Sequence, residues 1–262
     1  MTRYLQAAVA LAMTLAPSVA GAQDIADPAR EQVRQSADRF IVGVGVAATP
    51  ARQGGDDYRV LPIPMIDIVS GPFFVNLRNG VGVKVIDTPG FAIGGSVTIM
   101  PGYRRQDVPE GIDRYRVGAG GRLFATVNAG GALLSVGGTQ GFAGSTKGTI
   151  ADVSVSYPVV ASERLVVIPA LVATWANKKH NDRYFGISSR ESVASGLPEY
   201  RLGSGFKDVS IGITANYRLT DRINLSASGG VTRLVGDAKD SPLVEKKTQP
   251  TGFLALSYLI GR

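Results

Sequence analysis

Val209-Ser-Ile-Gly-Ile-Thr-Ala-Asn-Tyr-Arg-Leu219 alternates without a break. In an extended strand successive side chains point to opposite sides. Val209, Ile211, Ile213, Ala215, Tyr217 and Leu219 therefore share one face, and Ser210, Gly212, Thr214, Asn216 and Arg218 share the other. The same period runs through Tyr115–Val127, Ala151–Tyr157 and Ile223–Val231. A soluble sandwich hides its apolar face and shows water a charged, mixed one. Here the second face is Gly, Ser, Thr and Asn with scattered Arg, which suits the crowded inside of a closed barrel. The aliphatic face carries aromatics near its ends (Phe40, Phe91, Tyr157, Trp175, Tyr217, Tyr258), the pattern of a lipid-facing band with interfacial girdles. Lipid offers the backbone no hydrogen-bond partner, so strands cross it only as a closed barrel.

Working outward, twelve segments read as strands: 40–48, 58–69, 72–78, 80–86, 91–101, 114–127, 130–137, 148–158, 164–175, 206–219, 222–233 and 250–260. The expected fold is all-β, a transmembrane antiparallel up-and-down β-barrel. Twelve strands become ten if the third and fourth, joined only by Arg78-Asn79-Gly80, do not both form. Short turns at Ser70-Gly71, 87–90, Asn128-Ala129, 161–163 and Thr220-Asp221 alternate with loops 49–57, 102–113, 138–147, 176–205 and 234–249. That asymmetry places short turns and both termini in the periplasm. Ser189 to Gly196 fits one helical turn in the longest loop, which either plugs the mouth or covers it.

The start of the chain reads differently. Arg3, an apolar stretch from Leu5 to Leu15 and the small-x-small pattern Ala20-Gly21-Ala22 make residues 1–22 an expected signal peptide. Residues 23–39 are polar and aperiodic, an expected periplasmic tail before the barrel at 40–262. Composition narrows the chemistry further. With no Cys, disulfides, thiol nucleophiles and Cys-based zinc sites are excluded, and one His (His180) leaves almost no room for a Ser-His-Asp triad. His180 reads as a solvated loop residue. Asp56-Asp57 reads as capping a turn or balancing Arg52 and Arg59, and Asp237 and Asp240 as loop acids, so no catalytic residue, metal site or cofactor is expected. Gly43-Val44-Gly45 and Gly118–Gly121 lie within strands, not at the strand-to-helix junction a phosphate loop needs. The 33 Gly, about twice ordinary usage, require interior positions that face bulky neighbours.

The net charge of +7 does not point to nucleic acid, because the basic residues are scattered without interleaved aromatics. Lys84, Arg116, Arg122 and Arg218 fall on interior faces. They either pair with Asp67 and Asp152 in a filled barrel or line an anion path. Lys178, Lys179, Arg190, Lys246 and Lys247 fall in long loops, where lipopolysaccharide phosphates are the expected partner beside outer-membrane lipid.

From Tyr58 onward the chain resembles the MipA/OmpV family of outer-membrane proteins. The residues that carry the resemblance are Gly54-Gly55-Asp56-Asp57-Tyr58-Arg59, then Leu61-Pro62-Ile63-Pro64, Gly71-Pro72-Phe73-Phe74 and Asn79–Gly82. Further on they are Tyr184-Phe185-Gly186-Ile187-Ser188, Ser195-Gly196-Leu197-Pro198-Glu199-Tyr200, and Arg233–Val244, which holds Gly236, Asp237, Asp240, Ser241 and Pro242. The resemblance implies an outer-membrane barrel and, for the founding member, a scaffold joining a lytic transglycosylase to a penicillin-binding protein. Other members resemble small-solute porins or surface adhesins, so the scaffold, porin and adhesin roles all stay open. Family members usually end in an aromatic residue; here Ile260 stands in that place.

Overall fold

The computed structural model describes residues 38–260 apart from residue 146. The expected signal peptide at 1–22, residues 23–37 of the expected tail, and Gly261-Arg262 lie outside the described residues. The described residues form thirteen strands: β1 (Arg39–Pro50), β2 (Tyr58–Ser70), β3 (Phe73–Asn76), β4 (Gly80–Thr88), β5 (Phe91–Met100), β6 (Gly118–Ala129), β7 (Ala132–Ala143), β8 (Thr149–Ser156), β9 (Val159–Ser162), β10 (Leu165–Ala176), β11 (Gly205–Arg218), β12 (Ile223–Leu234) and β13 (Thr248–Ile260). Two helices, α1 (Lys178–Phe185) and α2 (Ser189–Ser195), lie between β10 and β11. Neighbouring strands pair antiparallel, and β1 pairs with both β13 and β2, which closes the sheet. β8 and β9 lie along the same edge of β10 and are interrupted at Tyr157-Pro158, so the wall has twelve positions.

The alternation seen in the sequence becomes two environments. Val44, Val60 and Leu123 are each about three-quarters exposed (73%, 74% and 73%), while Ser210, Ser226 and Ser257 on the opposite face are buried. A belt of exposed aliphatics on this scale has no soluble rationale, and lipid supplies one. One rim carries Phe40, Phe73, Phe91, Tyr157, Tyr217 and Tyr258, and the other carries Tyr58, Phe142, Trp175 and Phe206. From Phe206 to Tyr217 is eleven steps of about 3.3 Å, which at a tilt of about 45° rise about 26 Å, close to the height of a membrane's apolar band.

Several glycines on the inner face make room for larger side chains. A Cβ on Gly94 would lie 2.5 Å from the Phe124 ring and 2.7 Å from the Val83 carbonyl oxygen; one on Gly137 would lie 2.2 Å from the Arg122 guanidinium. The interior is less uniformly polar than the pattern suggested: on β2 the inner face is Leu61, Ile63, Met65, Asp67 and Val69, all buried and all but Asp67 apolar.

Some boundaries move. The strand expected at 114–127 begins at Gly118, because Tyr103 and Tyr115 pair in an isolated bridge above it. The turn expected at Asn128-Ala129 falls instead at Gly130-Gly131, whose φ angles of 61° and 89° suit glycine. β7 then runs on to Ala143, through most of the expected loop 138–147.

The largest departure is β3, with four residues. It pairs β2 only from Asp67↔Asn76 to Ser70↔Phe73, and β4 pairs β5 only from Val81↔Val97 onward. The β3–β4 hairpin thus stops partway up the wall, and its tip, Leu77-Arg78-Asn79, turns into the lumen. Leu77 packs on the cluster of Ala47, Leu61 and Ile63. Arg78 donates from Nη2 to Ser154 Oγ on β8 (2.6 Å), and Asn79 Oδ1 accepts from Arg122 Nε on β6 (3.1 Å). Above the tip, β2 pairs with β1 alone from Tyr58 to Ile66. Pro62 and Pro64 occupy this free edge, and a strand tolerates proline where its missing N–H would have faced no partner.

Gly94→Val is expected to destabilise the barrel by about 1–3 kcal/mol through overpacking. It should lower the temperature at which the folded band converts to the unfolded band on SDS gels. Gly138→Val, with nothing within 4 Å of its added carbon, should leave that temperature unchanged.

Candidate functional site

Five loops leave the rim opposite the short turns: 51–57, 101–117, 144–148, 177–204 and 235–247. Four of them fold together into a cap with its own core. Tyr103, Tyr115, Tyr184, Phe185, Leu202, Leu234 and Ala238 form one buried cluster, and Ile112, Ile187 and Leu243 form another. The rings interlock: Tyr115 and Tyr184 lie 4.9 Å apart at 65°, and Tyr103 meets Tyr184 at 5.2 Å and 86°. Such pairs add to the burial of their area.

Local sequence explains the helices. Asn177 caps α1 by accepting from the His180 N–H (3.0 Å), and Gly186 ends it by donating to the Asp182 carbonyl. Ser188 and Glu191 form a reciprocal capping box on α2, which Gly196 terminates in the left-handed conformation (φ 73°). Burial opposes charge on Glu191, but hydrogen bonds from Ser188 and the Asp113 N–H outweigh it and hold the carboxyl below its ordinary range.

The motif residues divide between cap and wall. Gly55, Tyr184, Phe185, Gly186, Ser195, Gly196, Leu197, Tyr200, Gly236, Asp237 and Ser241 meet in the cap: the Tyr200 hydroxyl donates to the Asp237 carbonyl (2.8 Å) and the Ser241 hydroxyl to that of Phe185 (2.5 Å). Asp56 donates its N–H to Glu245 (3.0 Å), Asp240 pairs with Lys247 (3.0 Å), and Pro198 and Pro242 lie in the same loops. Tyr58, Pro62 and Phe73 are exposed on the outer wall, Pro64 is half-buried there, and Phe74 points inward, buried edge-on to Phe124. The loop 177–204 therefore covers the mouth, and the β3–β4 tip occupies the lumen beneath.

Two loop expectations are corrected. His180 is not a solvated residue: it is 3% exposed, stacked on Tyr184, with Nδ1 3.3 Å from the Tyr115 hydroxyl. Burial, with a smaller contribution from Lys207, pushes its pKa down to about 3. Asp56 and Asp57 do not balance Arg52 and Arg59. Arg59 pairs with Asp107, and Arg52 pairs with Glu245 (3.0 Å) while its Nε donates to the Asp107 carbonyl (2.5 Å). These charges belong to a polar layer under the cap. In it Gln53 reaches Asp208 (2.7 Å), Lys207 reaches Gln53 (2.9 Å), and Gln249 holds Gly54 (2.8 Å) and Gly55 (2.6 Å).

The interior basic residues also separate. Arg122 is buried and holds Asp152 bidentately (2.5 and 2.9 Å), and Arg39 holds Asp67 (2.8 Å). Lys84 pairs with Asp87 (2.7 Å) and Arg218 donates to the Glu163 carbonyl (2.7 Å), both toward the short turns. Arg116 does not face the lumen: it precedes β6 and is exposed, with its N–H on Ser145 Oγ (2.6 Å). The residues that span the lumen, Leu77, Arg78 and Asn79, were not candidates. Their signal was the shortness of the third expected strand, 72–78, which falls below the roughly nine to eleven residues a strand needs to cross the apolar band.

Residues 42–260 match the family described as MltA-interacting protein MipA. The 24 kDa outer membrane protein of Pasteurella multocida is 23% identical over 242 residues, 84% of this chain and 90% of that protein. The putative outer membrane protein YiaT of Escherichia coli K12 is 28% identical over 114 residues, 44% of this chain and 46% of YiaT, so the chain spans under half of that relative. The MltA-interacting protein of the same organism is 29% identical over 82 residues, 31% of this chain and 33% of it. Among solved structures, the KdgM porin aligns with 84% of this chain and 99% of its own (TM-score 0.44, 7% identity). An outer membrane channel from Pseudomonas putida F1 aligns with 94% and 100% (TM-score 0.45, 10% identity).

A buried neutral His180 makes the cap acid-sensitive. Its ordinary pKa of about 6.5 exceeds the folded value of about 3, so between these values the opened cap binds more protons than the closed one. The His180 contribution is then complete above about pH 6.5 and is lost progressively as pH falls toward 3. Near-ultraviolet circular dichroism of the buried tyrosines should weaken over this window. In His180→Gln the loss should shift to lower pH; superimposable curves would contradict the assignment.

Proposed function

The chain belongs to the MltA-interacting protein MipA family of outer-membrane β-barrels, and on that premise we propose that it is a closed barrel acting as a scaffold, tying cell-wall enzymes to the outer membrane. In this reading the short turns and residues 23–39 face the periplasm and form the docking surface, and the cap faces outward. A lytic transglycosylase is the first partner expected, as the name of the Escherichia coli relative indicates for that protein, and a penicillin-binding protein is the second. Outward Lys178, Lys179, Arg190, Lys246 and Lys247 then meet lipopolysaccharide phosphates.

The observation that carries the reading is the hairpin tip across the lumen. Leu77 rests on residues of β1 and β2, Arg78 reaches β8 and Asn79 reaches β6. A barrel occupied at mid-height and capped at one mouth is poorly suited to passing solute, while its ends remain available for binding.

Planar bilayers loaded with the purified protein should stay electrically silent. Replacing Leu77, Arg78 and Asn79 together by glycine should produce ion-conducting steps, because the tip then fills less of the lumen. Stable steps from the unaltered protein would instead favour the small-solute porin. In a pull-down, deleting residues 23–39 should reduce recovery of wall enzymes several-fold, and undiminished recovery would remove the tail from the docking surface.

A further inference from the structure

Below the hairpin tip lies a cavity of about 100 Å³, whose polar lining includes Asn76, Arg78, Asn79, Thr126, Ser135 and Ser156. That volume holds a few waters or one small ion. Its charge is unbalanced. Arg39, Lys84 and Arg122 each have a carboxylate (Asp67, Asp87 and Asp152, at 2.8, 2.7 and 2.5 Å). Among the described residues Arg78 has none within pairing distance; its one hydrogen bond goes to the Ser154 hydroxyl (2.6 Å). The carboxylate whose field reaches it, Asp152, is already gripped at both oxygens by Arg122.

The cavity's hydrogen-bonding capacity leans toward donors as well. Asn76 Oδ1 accepts the Asn79 N–H (2.8 Å), and Asn79 Oδ1 accepts Arg122 Nε–H (3.1 Å). These bonds fix the orientation of both amides, each oxygen turned to its donor, and leave two NH2 groups free to donate. Thr126 and Ser135 are bonded to each other (3.0 Å). What remains is a guanidinium with four unspent N–H donors, two amide NH2 groups and the Ser156 hydroxyl, with no carboxylate in the lining. A guanidinium enclosed in a membrane-spanning barrel without a counter-charge is costly. A cation would be repelled, and a neutral acceptor would leave the charge in place.

We propose that this cavity is a binding site for one small monovalent anion, a halide or a small carboxylate, held by Arg78 with Asn76 and Asn79. The anion neutralises Arg78 and pins the hairpin tip inside the barrel. The site stands apart from the scaffold reading, since it is occupied whether or not wall enzymes dock on the short-turn end.

The test is the thermal midpoint of the detergent-solubilised barrel in sodium bromide or formate against sodium gluconate, an anion too large for the cavity, at matched ionic strength. Bromide and formate should raise the midpoint saturably by several degrees and gluconate should not; Arg78→Gln should abolish the difference. Equal midpoints in all three salts, or an undiminished difference in Arg78→Gln, would overturn the proposal. Should Arg78→Gln fail to fold, bromide anomalous scattering from crystals of the unaltered protein decides. A peak between Arg78 and Asn79 is expected, and an empty cavity at saturating bromide would refute the site.

Discussion

In hydrocarbon an unpaired backbone N–H or C=O has nowhere to turn, and the rest of this structure follows from that. The sheet closes because β1 finds β13 on one side and β2 on the other. Closure forces one side-chain face outward against lipid and packs the other into a confined core. Outer positions become Val, Ile and Leu because the solvent there is acyl chain. Inner positions become Gly, Ser and Thr because inward-pointing Phe124 and Arg122 need the space that Gly94 and Gly137 leave empty.

The same constraint explains what is unusual here. A four-residue β3 cannot complete the wall between β2 and β5. Two prolines remove N–H groups from the edge of β2 that has no partner above it, and the chain that does not line the wall crosses the lumen. The tip then ties the walls together through Leu77 on an apolar patch, Arg78 on β8 and Asn79 on β6. The cap extends this from above, with tyrosines over a layer in which Arg52, Arg59, Asp107, Lys207 and Asp208 satisfy one another. Such a barrel resembles a plugged and capped post more than a pipe, which is why an anchoring role suits it.

Much of this could be read from the residues. The alternation from Val209 to Leu219 reappears as exposed Ile211 and Ile213 against buried Ser210 and Thr214, since a period of two has only one structural meaning over that length. The helical turn at Ser189 was legible from its own caps. Less legible were features set by distant contacts. His180 reads as solvated until Tyr115, from another loop, closes over it. Arg116 continues the alternation in sequence, yet the bridge between Tyr103 and Tyr115 holds the chain above the wall and β6 begins only at Gly118, after it. Arg78 looked like a turn residue, and only the shortness of its hairpin turns it into the lumen.

Everything distinctive in this barrel depends on the Leu77–Asn79 tip lying in its interior. The chain contains no cysteine, so a single nitroxide label can be attached at Leu77→Cys without background. Its accessibility to oxygen, which partitions into lipid, and to a water-soluble nickel chelate reports its surroundings directly. An immobilised label shielded from both reagents is the predicted result. A mobile label readily reached by the chelate would mean an open lumen and would contradict the claim.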